Sequence, residues 1–105
     1  MASYVAKVAP AAATYTNLGT VPNDMAVNIR LVNQDQINGI TVRLAICPAP
    51  LAPGAAPAST DWIEPLDLPI PAGGVLEETG IAVAAGETVV VYNSAATATW
   101  RMHGR

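Results

Sequence analysis

The residues able to do chemistry are few and scattered. His103 is the only histidine and Cys47 the only cysteine. A transition-metal site needs several imidazole, thiolate or carboxylate ligands to converge, and one of each does not supply that. A nucleophilic triad would need His103 to meet Ser3, Ser59 or Ser94 with a carboxylate behind it, yet none of these serines lies in a nucleophile-elbow motif. Glu77 and Glu78 are adjacent. On a strand they face opposite sides, so they form no catalytic carboxylate pair without help from another segment. Asp61, Glu64 and Asp67 recur at every third residue through a proline-bounded stretch. They lack the dense oxygen-ligand loop of a calcium site and read as a solvated rim. Gly73-Gly74 precedes no helix, so it is not a phosphate cradle. Cys47 stands next to Pro48 with no base or cation adjacent in sequence, and reads as a small buried core residue in a reducing compartment. The chain is expected to be no enzyme and to use no cofactor or metal.

The elements that would carry these residues are strands. The chain has 105 residues, one domain's worth, with a hydrophobic share of 51%. Twenty of those residues are alanine, and there is no phenylalanine, so large core side chains are scarce. Charged residues at 12% with so apolar a chain exclude disorder. A net charge of -3 lacks the basic footprint that nucleic acid binding requires. No apolar run is long enough for a signal h-region or a spanning helix, so neither secretion nor a membrane is expected.

Period-two alternation recurs. Met25, Val27, Ile29 and Leu31 alternate with Ala26, Asn28, Arg30 and Val32, then Ile40, Val42, Leu44 and Ile46 with Thr41, Arg43, Ala45 and Cys47. The polar stretch between them ends in Asn38-Gly39, which predicts a hairpin. Arg30 and Arg43 both point outward in that register, and are expected to be offset or paired with carboxylates. Pro69 confines its surroundings to an edge strand or loop, and Gly80 permits a bulge. Thr88 to Tyr92 is continuously apolar, which predicts burial on both faces or an interface. The final strand buries Trp100 and Met102. Helix signals are nearly absent beyond one possible turn at Ala9 to Ala13. About eight strands at even spacing predict an all-β fold, an antiparallel β-sandwich of jelly-roll-like form.

Two segments fall outside the strand pattern. Residues 1–13 read as an extended N-terminal arm ahead of a single domain over 14–105. Residues 48–60 form a Pro/Ala-rich loop, long for a connection inside a compact domain. Both could reach across a subunit boundary, and stiff Pro-rich chain loses little entropy on docking. The candidate contact residues are therefore Tyr4, Val5, Lys7, Pro50, Leu51, Pro53 and Trp62.

The motifs also carry a resemblance. Tyr15-Thr16-Asn17-Leu18-Gly19-Thr20-Val21-Pro22, Asn28 to Asn33, Val42 to Ile46, Asp61-Trp62-Ile63-Glu64-Pro65, Leu68 to Ile81, Ala84-Ala85-Gly86-Glu87 and Arg101-Met102-His103-Gly104 together resemble small structural proteins of tailed bacteriophages. The resemblance covers roughly residues 14 to 104. It is a pattern of turns and strand faces rather than of reactive groups. Glu78 stands where a basic residue is common, and the Pro-rich insertion at 48–60 is a further departure. The resemblance implies a virion component on the capsid surface, made in the host cytoplasm, with no catalytic residues to carry over. The leading expectation is a capsid decoration or cement protein that binds the major capsid protein non-covalently and associates with itself as a dimer or trimer. A fibre, collar or tail-appendage subunit is the alternative, and a carbohydrate-binding module the third.

Overall fold

The computed structural model describes residues 4–105. Eight strands follow one another: β1 (Tyr4–Val8), β2 (Thr16–Thr20), β3 (Met25–Asn33), β4 (Ile40–Cys47), β5 (Leu68–Ile70), β6 (Val75–Val83), β7 (Thr88–Asn93) and β8 (Ala98–Gly104). They form two antiparallel sheets, ordered β1-β8-β3-β6 and β2-β7-β4-β5. The pairing is nested: first strand with last, second with seventh, third with sixth, fourth with fifth. Folding the chain back on itself in this way, with β3 also on β8 and β4 also on β7, produces a jelly roll.

Alternation explains the core. On β3 the odd-numbered residues are buried, and on β8 Trp100 and Met102 are buried while Arg101 and His103 are exposed. These side chains share one core with Val42 and Leu44 of β4 and Val89 and Val91 of β7. The Trp100 indole N–H crosses that core to donate to Asn93 Oδ1 at 2.6 Å. β7 is buried on both faces, as its unbroken apolar run anticipates.

The hairpin expected between residues 25–32 and 40–47 does not form. β3 and β4 lie in different sheets and face each other across the core. Both neighbouring positions on β3 are taken, by β6 and β8. The polar stretch 34–39 instead carries the chain over the end of the sandwich. Asp35 shapes this crossing by accepting hydrogen bonds from the Ile37 and Asn38 backbone N–H groups at 2.8 and 3.0 Å. Those bonds, that from Asn38 first, hold its carboxyl below the ordinary aspartate value.

Asn33, fully buried, fastens the crossings at that end. Its Nδ2 donates to the carbonyls of Asn38 and Pro71 at 3.0 and 3.1 Å. Its Oδ1 accepts from the Asp35 N–H at 3.1 Å and the Thr97 hydroxyl at 2.9 Å. Two donors and two acceptor positions are the full capacity of the amide.

Of the expected arm, residues 4–8 lie along β8 as an edge strand, in register from Tyr4 against Gly104 to Val8 against Trp100. Residues 1–3 lie outside the described residues. Tyr4 reaches over to the other sheet, where its hydroxyl occupies the space that a Cβ on Gly19 would need. Each sheet edge carries a feature that discourages further pairing. β1 bears the outward Lys7; β2 has a bulge between Asn17 and Gly19; β5 is three residues long and contains Pro69. In β6 the bulge falls at Gly80, whose φ of 67° suits glycine and whose N–H donates to Asn28 Oδ1.

Replacing Asn33 by alanine strands four polar partners at one end of the fold, and is expected to cost about 3 kcal/mol or more. Urea unfolding of Asn33→Ala checks this; a loss under about 1 kcal/mol would show that the crossings hold without the amide.

Candidate functional site

The two outer faces differ. On the sheet containing β4 and β7, the Pro-rich loop folds back over the strands. Ala45, Cys47 and Val90 are buried beneath Tyr15, Leu51 and Trp62. Asn17 clasps Leu51 from both sides, accepting from its N–H at 3.0 Å and donating to its carbonyl at 3.1 Å. The segment at Trp62 bridges to Ala45, with the Ile46 N–H donating to the Asp61 carbonyl and the Ile63 N–H to the Leu44 carbonyl. Leu51 and Trp62, two of the candidate contact residues, therefore pack half-buried against the chain's own sheet, while Pro50 and Pro53 stay exposed on the loop.

Arg43 completes this cover. Its guanidinium lies 4.5 Å from the Tyr92 ring centroid and 6.0 Å from that of Tyr15. It donates to both Asp67 carboxylate oxygens, at 2.9 and 3.3 Å, and to the Tyr15 hydroxyl at 2.7 Å. Tyr15 also packs against Trp62 and Tyr92, with centroids 6.0 and 5.0 Å apart. These aromatics are committed to one another and to Arg43. The Cys47 thiol is pushed up to about 11, by burial first and then by Asp61, so it stays protonated at neutral pH.

The acidic residues of the proline-bounded stretch do not converge. Asp61 accepts from the Ala58 N–H at 3.1 Å, Asp67 pairs with Arg43, and Glu64 meets Glu78. Among the described residues no group of three or more His, Cys, Asp or Glu is placed to hold a metal ion. Glu77 and Glu78 do face opposite sides: Glu77 is exposed, and Glu78 turns toward Glu64. The second segment that a carboxylate pair would need is thus present. The pair spans from edge strand β6 to the loop entering β5, the edge strand of the other sheet. Burial, then the hydrogen bond and charge of Glu78, raise the Glu64 carboxyl above its ordinary value.

Among the described residues, none forms such a cover on the outer face of the sheet containing β1, β8, β3 and β6. Register brings Lys7 opposite Arg101, Arg101 opposite Arg30, and Arg30 opposite Glu77. Lys7, Arg101 and Arg30 are exposed. Arg30 pairs with Glu77 at 2.5 Å. Among the described residues neither Lys7 nor Arg101 has an ion-pair partner; the other ion pair is that of Arg43. A shallow depression of about 540 Å³ lies on this row, and its lining includes Lys7, Arg30, Val32, Thr99 and Arg101. Beside it, His103 Nε2 is 3.2 Å from Asn28 Nδ2, and Val5 is 51% exposed. Sequence alternation places Arg30 and Arg101 outward, but only the register brings them together.

No protein-family model, curated protein or solved structure matches the chain.

The Glu64–Glu78 contact gives the fold a pH signature. A carboxyl whose folded pKa is raised binds its proton more tightly folded than unfolded. Its contribution therefore turns unfavourable as pH rises above the ordinary glutamate value and through the raised one. Glu64→Gln is expected to gain stability relative to the parent at neutral pH and to lose that advantage in acid. Urea midpoints of both proteins across that range check this; an advantage independent of pH would remove the repulsion as its cause.

Proposed function

We propose that this chain is a structural subunit of a tailed-phage virion, a decoration or cement protein that binds the major capsid protein non-covalently and itself assembles as a homo-oligomer. The observation that carries this reading is the unequal treatment of the two sheet faces. One is closed by the protein's own loop, under an aromatic and Arg43 cover. The other is left open, with exposed Val5, Lys7, Arg101 and Val75. A domain with one finished face and one open face is suited to lying flat on a larger surface. The resemblance of residues 14 to 104 to small phage structural proteins supplies the kind of surface. The jelly roll is a fold that capsid proteins use among others, and supports the class without deciding it. Many identical copies on a symmetric shell add avidity to weak single contacts.

Gold-antibody labelling of purified virions, viewed by electron microscopy, tests this. Label spread over the head is the expected result. Label confined to tail or collar would replace it with the appendage reading, and no label on any virion would overturn both.

A further inference from the structure

We propose that the open face is a receptor for acidic side chains, and that Lys7, Arg101 and Arg30 bind the carboxylates of an Asp/Glu-bearing segment of a partner protein. The proposal rests on the reading of this chain as a protein-binding subunit and names the face and the chemistry it would use.

The row is unusual for this chain. Acidic residues outnumber Lys and Arg by 8 to 5, yet three of those five cations stand side by side. Neighbouring strands lie about 4.8 Å apart, so the Cα atoms of the three residues fall within about 10 Å. Like charges directly opposite on a sheet destabilise it. Arg101 stands between Lys7 and Arg30 and bears that repulsion from both sides. A bound anion would relieve it, and the field of a row of cations draws anions in.

The chain itself indicates which anion fits. Glu77 ends the row and already holds Arg30 through a carboxylate oxygen. A second carboxylate beside Arg101 and Lys7 would repeat that contact, and a guanidinium can take it with two parallel hydrogen bonds. Val32 shares the outward face of β3 with Arg30 and lines the depression beside the cations. Val32 offers packing to a small apolar side chain neighbouring the acidic one. The blocked edges, with their bulges at β2 and β6 and Pro69 in β5, disfavour the addition of a partner strand and direct docking to a face.

The test is an NMR titration of the full chain with a synthetic capped peptide of alternating glutamate and alanine. A lysine–alanine peptide and inorganic phosphate serve as comparisons. The glutamate peptide is expected to shift the amides of Lys7, Thr99, Arg101, Arg30 and Val32, and to bind more weakly as salt rises. Arg101→Gln is expected to weaken it about fivefold, and Glu77→Gln, which frees Arg30, to tighten it about twofold. Arg101→Gln also removes the central like charge, so its Tm should not fall; this separates lost binding from lost folding. Unchanged binding in Arg101→Gln, shifts on the loop-covered face, or no shifts at all would overturn the proposal. Shifts with phosphate but not with the peptide would overturn it in favour of a small-oxyanion site. Head labelling of virions without peptide binding removes this proposal alone, and peptide binding without virion labelling removes only the location.

Discussion

The fold depends on one buried amide. At the end where β3, β5 and β7 finish, the chain crosses between the sheets three times, through residues 34–39, 71–74 and 94–97. The crossings themselves are largely exposed, so hydrogen bonding rather than burial fixes them. Asn33 reaches all three with four hydrogen bonds, and its own N–H donates to the Gly74 carbonyl at 2.9 Å. A hydrophobic residue of similar size could fill the space but would leave each partner unpaired, at about 1–3 kcal/mol for each buried group. The Trp100–Asn93 bond fixes the same end from within the core. With few large side chains, this chain uses polar fastening where a larger core would use bulk.

What alternation could reveal, the sequence revealed. The odd residues of β3, the paired burial of Trp100 and Met102, and the two-faced burial of β7 follow from period and composition. Gly80 marks the bulge it permits, and Pro69 the edge strand it restricts. β1 was not legible as a strand, because its inward residues Tyr4, Ala6 and Val8 are only half-buried and one of them is alanine. The β3–β4 connection departs from the expected hairpin for a different reason. Asn38-Gly39 suits a tight turn, but local turn preference cannot show that β6 and β8 already occupy both flanks of β3.

The candidate sites were less legible, because both are made by register. Lys7, Arg30 and Arg101 lie in three strands distant in sequence, and no spacing rule connects them. Glu64 finds Glu78 only because the loop before β5 returns toward β6. Leu51 lies in the Pro/Ala-rich loop and Trp62 just after it, where they were expected to meet a partner. That loop has apolar strand residues to cover, Ala45 and Val90, and so turns them inward.

The nested pairing also sets the order in which the molecule can come into being. β1 has its sheet partner in β8, some ninety residues later in the sequence. During synthesis β1 must wait until β8 has left the ribosome, while β4 and β5 meet early. Such long-range closure makes for slow folding. It also leaves an unpaired strand, Tyr4–Val8, exposed to wrong partners in the meantime. Lys7 within it is a guard for that interval as well as for the finished edge.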